Sequence, residues 1–378
     1  MPLPARLAAV PGSSLVGGLA FSFRVWELFV LTLVLQIGVL PLLASAFHRI
    51  TFAGAFVNFA AVPLTAIIVP LRFFTLVGGF LAGGKLELTV LDVGQGDSLF
   101  LVSPIGQTLL IDGGGAFGGF PGHEEARGSD PGEEAVSPYL WSRGFKKIDV
   151  VALTHWHQDH LGGLNAILDN FLIGRTWIGG EINNPALTRL EALARERNIP
   201  VEYETRGKRF SMDEVRGEFL WPDISTEDPA AAAKNNDSLV LRLKFRNRTL
   251  LLPGDAEKQA EHVILHDNSA NLHADVLKVG HHGSTNSTTQ EFLDAVAPSI
   301  AIISSGEDNP YGHPSPELLE RLEASGARVL RTDRDGAVHI LTDGDRLEIS
   351  FFMVCADMSN VTTSRRAEAP NQNQNNQQ

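Results

Sequence analysis

Three histidines and an aspartate stand within six residues: His155, His157, Asp159 and His160, in the run Thr-His-Trp-His-Gln-Asp-His-Leu-Gly-Gly that begins at Thr154. Imidazole and carboxylate are the usual ligands of zinc and related divalent ions. Crowding four such groups is costly unless a cation holds them. The bland alternative is a polar surface turn, but the pattern His-x-His-x-Asp-His-x-Gly-Gly is too specific for that. Further Asp and His residues end other apolar runs. Asp112 follows Thr108 to Ile111, Asp255 follows Leu250 to Leu252, and His281 and His282 follow Val276 to Val279.

The cluster needs an element to hold it. Ile148 to Leu153 is apolar except for Asp149 and reads as a buried strand, and Leu164 to Phe171 reads as a helix. The histidines therefore sit on a strand-to-helix turn. Leu86, Leu88 and Val90 alternate with Glu87 and Thr89, as in a half-buried strand. Strands are also predicted at Ser98 to Val102, Thr108 to Ile111, around Trp177, and at Val201 to Tyr203, Phe219 to Pro222, Ser238 to Phe245 and Thr249 to Leu252. Four more are predicted at Asp275 to Val279, Ile300 to Ser304, Arg328 to Leu330 and Ala337 to Leu341. Helices are predicted at Glu133 to Ser142, Leu187 to Glu196, Gln290 to Val296 and Pro316 to Ala324. Strands followed by helices, twice over, imply an α/β fold of two face-to-face sheets with helices outside. Loops at one edge of such a scaffold can converge.

Composition narrows the partners. The 378 residues carry a net charge of −13, which excludes a broad basic surface for nucleic acid. The single cysteine, Cys355, excludes an internal disulfide and a multi-thiolate metal site. Leu28 to Phe47 and Ile50 to Leu71 carry no charge, and Phe73 to Gly84 continues the apolar character. The two long runs match the length of membrane-spanning helices. Gln36 and Asn58 inside them would face other helices. Arg24, His48, Arg49 and Arg72 are too scattered to orient them. The expected organisation is a membrane helical segment at 1–84, a globular domain at 85–356, and a polar, disordered tail at 357–378.

The histidine turn, the Gly254-Asp255 pair and the histidines after Val279 resemble the metallo-β-lactamase superfamily of metallohydrolases. The runs Asp92 to Ser98, Asn235 to Leu241, Lys278 to Ser284, Tyr311 to Pro314, and Arg331 to Asp333 with Gly336 look like the ComEC family of competence proteins. That resemblance implies an αββα metallo-β-lactamase sandwich preceded by transmembrane helices. It implies two divalent metal ions, zinc or manganese. His155 and His157 would bind one, Asp159, His160 and His281 the other, and Asp255 would bridge them. Asp112 would orient the ligand turn, with Asp97, Asn236 and Ser284 as further supporting groups. One position departs from the pattern. The superfamily usually places another histidine before the strand starting at Ser238, where this chain has Asn235-Asn236-Asp237. His313, His282 or water could fill the gap, and a harder ion such as manganese would suit it.

The implied activity is hydrolysis of a DNA phosphodiester during DNA uptake. Asp159 would orient the attacking water, and His313 or His282 would protonate the leaving oxygen. The implied place is the cytoplasmic membrane, with several spans, the hydrolase domain on its outer face, and further channel helices as partners. Two other functions fit the same residues: hydrolysis of small esters, thioesters or lactams, and a non-catalytic module that binds or gates DNA. His123, His262, His266, His273 and His339 read as bystanders.

Overall fold

Successive side chains of a strand point to opposite faces, so Leu86, Leu88 and Val90 of β1 (Leu86–Val90) share one face and enter a common core. The computed structural model describes residue 30 and residues 84–115, 130–179, 187–223, 235–266, 272–307, 309–352 and 367–368. The chain divides into two units, 1–82 and 83–378. The membrane segment expected at 1–84 lies outside the described residues, save residue 30 and Gly84. Among the described residues no helix is long and apolar enough to cross a membrane. The expected tail also lies outside them, except for residues 367–368.

β1 is followed by β2 (Leu99–Val102), β3 (Thr108–Ile111), β4 (Lys147–Leu153), β5 (Leu172–Ile178) and β6 (Val201–Tyr203). A second sheet takes β7 (Arg209–Met212), β8 (Val215–Trp221), β9 (Val240–Phe245), β10 (Arg248–Leu252), β11 (Val276–Lys278), β12 (Ile300–Ile303) and β13 (Arg328–Arg331). The chain then returns to the first sheet through β14 (Ala337–Thr342), β15 (Leu347–Phe352) and β16 (Ala367–Glu368). Strand order is β16-β15-β14-β1-β2-β3-β4-β5-β6 in one sheet and β13-β12-β11-β10-β9-β8-β7 in the other. Both sheets are mixed: β3 to β6 and β10 to β13 run parallel, and their other neighbours antiparallel. Leu86 pairs with Thr342 across the β1–β14 ladder.

Three apolar layers result. Between the sheets, Val150, Ala152 and Ile340 meet Phe219, Leu241, Phe245 and Ile302. Outside the first sheet, Val151 and Leu153 pack on α1 (Ser137–Ser142), α3 (Leu164–Asn170) and α4 (Thr188–Glu196), with the short α2 (Gln158–Leu161) before α3. Outside the second sheet, Leu251, Leu277 and Ile303 pack on α5 (Lys258–His266), α6 (Gln290–Val296) and α7 (Pro316–Ala324). A last single turn is α8 (Thr332–Asp335). This is the α/β sandwich expected from the alternation of strands and helices. The helix expected at Glu133 to Ser142 is split, with a π-type turn at Gly132–Val136 leading into α1. β7, β15 and α5 lie outside the elements read from sequence.

Candidate metal centre

β4 ends at Leu153 and delivers Thr154 to His160 to the rim of the first sheet. β10 and β11 end at Leu252 and Lys278 and deliver Asp255 and His282 from the second. The two glycine-bearing loops after β1 and β3 close over the histidine turn. A Cβ on Gly96 would stand 2.0 Å from Asp159 O, at a backbone φ of 111°. A Cβ on Gly115 would stand 2.3 Å from Asp159 Cα. Side chains at these positions would displace the turn.

One ligand atom each from Asp159, His160, Asp255 and His282 lies within 4.8 Å of the others. His160 Nε2 is 3.2 Å from Asp255 Oδ2, and His282 Nε2 is 3.3 Å from Asp159 Oδ2 and 3.5 Å from Asp255 Oδ2. His155 joins from the side, its Nε2 3.9 Å from Asp255 Oδ2. His157, half-buried, packs its ring against His155 at 4.5 Å between centroids. His281 Nε2 is 3.8 Å from Asp255 Oδ2, while its Nδ1 is 3.1 Å from Glu257. Of the two adjacent histidines it is His282, not His281, that completes the four-residue cluster. Both adopt left-handed backbone, with φ of 47° and 52°, which is uncommon outside glycine and clusters at functional sites.

The imidazoles are oriented from behind. Asp112 accepts the Thr154 N–H and hydroxyl, each at 2.7 Å, and His160 Nδ1 at 2.7 Å. His155 Nδ1 lies 3.2 Å from Thr154 Oγ1 and 3.3 Å from Ser238 Oγ. Each Nε2 is thereby left to face the centre. Asn236 caps the turn that carries Asp255, its Oδ1 accepting from Glu257 N and Ala260 N at 3.1 Å. Ser284 closes the turn after His282 by accepting from Asn286 N at 3.2 Å. Asn235, in the stretch where a further histidine was expected, donates to Glu257 at 2.9 Å and approaches the His281 ring at 3.4 Å. His313 stands farther out, its ring 5.7 Å from that of His281 and stacked on exposed Tyr311.

Charge is concentrated here. Burial pushes the Asp255 carboxyl up, but the His160 and His282 rings overcome it and hold it well below its usual range. Burial opposes protonation of His160, yet Asp255, Asp112 and Asp159 raise it well above an ordinary histidine. His282 is raised in the same way, by Asp255 and Asp97 against burial. His155 goes the other way, driven well down by burial and by His160. Burial, with His281 and His282, lowers His313 to about 4.

The donor set fits divalent metal. His155 Nε2, His160 Nε2, His282 Nε2, Asp255 Oδ1 and Asn235 Oδ1 are buried with no hydrogen-bond partner. Nitrogen lone pairs aimed at carboxylates are repulsive unless a cation or proton lies between them. Asp159, His160, Asp255 and His282 would hold one ion, and His155, His157 and Asp255 a second. His281 and Asn235 lie beside the latter.

The family model described as the metallo-β-lactamase superfamily matches residues 91–307, and one described as competence protein matches residues 10–101. ComE operon protein 3 of Bacillus subtilis is 37% identical over 256 residues, 67% of this chain and 32% of that protein. Competence protein ComA of Neisseria gonorrhoeae is 31% identical over 67% of this chain and 32% of its own length. The chain thus spans about a third of the length of the curated relatives it matches. Among solved structures, the metallo-β-lactamase fold protein YhfI from Bacillus subtilis aligns over 68% of this chain and 100% of that one, at 10% identity and a TM-score of 0.43. That structural likeness is too loose to carry an argument, whereas the family matches and the two competence proteins agree. The chain belongs to the metallo-β-lactamase superfamily, in the ComEC/ComA family of competence proteins.

Proposed function

We propose that this centre holds two divalent ions and hydrolyses DNA phosphodiesters, as the degradative domain of a membrane protein of DNA uptake. The observation that carries the reading is the set of buried, unpartnered nitrogen and oxygen atoms converging where the two sheets meet. Divalent ions bound there would supply Lewis acidity and the positive potential that a chain of net charge −13 lacks for a polyanion.

The chain's own groups divide the remaining work. Asp159, whose side chain is 29% exposed, is the cluster carboxylate open to solvent and would accept a hydrogen bond from the attacking water. Asp112 keeps His160 in its productive orientation. Burial, and then the charge of Asp159, push the phenol of exposed Tyr311 up. Residues 1–84 would supply the last helices of a channel in the cytoplasmic membrane, packed against further helices, with the hydrolase domain on the outer face.

The test is cleavage of labelled single- and double-stranded DNA by the full chain, with manganese, zinc or chelator, beside a His155→Ala/Asp255→Ala variant. Metal-dependent cleavage absent from the variant is the expected result. A metal-loaded, folded chain that leaves DNA intact but hydrolyses a nitrophenyl ester or thioester would replace this reading with a small-substrate hydrolase. A folded chain that takes up no metal would leave a binding module.

A further inference from the structure

Among the described residues, Lys278 is the one lysine in the set of largest fully buried side chains, at 1% exposure. It lies at the end of β11, in the turn that leads to His282. Its Nζ donates to Asp97 Oδ2 at 2.7 Å and to Val279 O at 3.1 Å. Asp97 is equally buried, and its other oxygen, Oδ1, stands 3.3 Å from His282 Nδ1 as a facing charge, without a hydrogen bond to it. Ser304 O accepts from that same nitrogen at 3.0 Å. Both neighbours of Nδ1 are acceptors, so Nδ1 carries the hydrogen, and with a metal ion bound the Nε2 lone pair would be the one turned toward Asp159 and Asp255.

We propose that Asp97 and Lys278 are a positioning pair that fixes the tautomer and direction of the His282 ring as a metal ligand. The proposal rests on the metal reading above and adds to it two residues that touch no reacting atom. The pair is matched to its setting. Asp97, Asp112 and His160 by themselves form a second acidic group with the spacing of a cation site. The Lys278 ammonium pairs with that group's Asp97, so the chain provides the cation itself. The loop is also pinned where the pair needs it. Asp97 N donates to Asp159 O at 3.2 Å, Gly114 N donates to Asp97 O at 2.8 Å, and Ser304 Oγ donates to Gly96 O at 2.7 Å. Ends of β3, β4 and β12 thus meet on one carboxylate-bearing loop.

The two histidines differ as a result. His160 has a carboxylate at 2.7 Å that receives no lysine, while the carboxylate near His282 is shared with Lys278. Groups that orient a metal-bound imidazole typically change metal affinity about 10–100-fold when removed. Removing either member of this pair alone strands a buried charge, which unfolds proteins for reasons unrelated to the metal. The informative change is therefore the charge-neutral Asp97→Asn/Lys278→Met.

The experiment is zinc titration of the full chain, followed by calorimetry and by the nitrogen shifts of 15N-labelled imidazoles. In the wild type the shifts should show zinc on His282 Nε2 and hydrogen on Nδ1. In the double variant, still folded by its melting transition, zinc affinity should fall about 10–100-fold and the His282 Nδ1 hydrogen should lose its distinct shift. Unchanged zinc affinity in the folded double variant overturns the proposal. So does ligation through His282 Nδ1 in the wild type, which decides the matter even where the variant unfolds. A wild type that binds neither zinc nor manganese overturns this inference and the metal reading together. A wild type that binds zinc and cleaves DNA, with the double variant unchanged, overturns this inference alone.

Discussion

Asp112 holds a left-handed backbone, φ 59°, and both of its oxygens are engaged by the turn it supports. Its contact with His160 orients that ring from the side away from the cluster. On the proposed metal and nuclease reading, Asp112→Asn is expected to weaken metal binding about 10–100-fold while leaving DNA cleavage measurable at saturating manganese; metal titration and cleavage at two metal concentrations check this. At this scale much of the centre was legible in the sequence. His155, His157, Asp159, His160 and Asp255 stand out because Asp and His at strand ends are conspicuous. The choice between His281 and His282 was not legible. Two adjacent residues differ only in where a left-handed turn sends their rings, and spacing is silent on that. Lys278 was hidden for another reason. A lysine in an apolar strand reads as a solvent-facing residue until its partner, Asp97, is brought in from a loop far away in sequence.

Loops and strands set the precision of the site. Gly96→Ala would put a methyl group against Asp159 O and demand a backbone that alanine resists. A loss of about 1–3 kcal/mol is expected, with weaker metal uptake, read by urea denaturation and metal titration. Away from the centre, β1 is clasped to α1. The His339 ring lies 3.6 Å from the Glu87 carboxylate and Arg143 lies 2.7 Å away, and against the cost of burial they hold Glu87 down to about 2 from an ordinary 4.5. A carboxylate depressed by folding contributes stability that is whole above its unfolded value. That contribution is lost as pH falls from about 4.5 toward 2. Glu87→Gln should therefore lower stability at neutral pH and flatten the acid limb in that window, as followed by denaturation at stepped pH. The strands with strict alternation or long apolar runs were readable. β7 was not, because it is a partly exposed edge strand carrying Arg209 and Ser211. α5, with Ala260, Glu261 and Ile264 buried among its nine residues, was not read from the sequence either.

Across the molecule, the centre joins the two sheets. His155 to His160 come from the first and Asp255 and His282 from the second, so an ion bound by both adds a link across the sandwich. Metal at about a thousand times its dissociation constant should stabilise the fold by about 4 kcal/mol, and chelator should lower the melting temperature of the loaded chain accordingly. The same junction is apolar below the site. Phe245→Ala, at a fully buried position between the sheets, should cost about 3–5 kcal/mol by urea denaturation, with the metal centre of the surviving folded fraction unchanged. The pairing of Leu86 with Thr342 has a consequence for synthesis. The first strand made in this domain is completed on one edge by one of the last. While the ribosome is still translating the second sheet, the free edge of β1 has no partner, and its ladder closes only after Ala337–Thr342 emerges. Such non-local pairing folds slowly and leaves an open strand edge in the interval. The nascent chain should therefore need protection from aggregation until its final strands are released, and ribosome-stalled chains ending before residue 337 should remain sensitive to protease across β1 and β2.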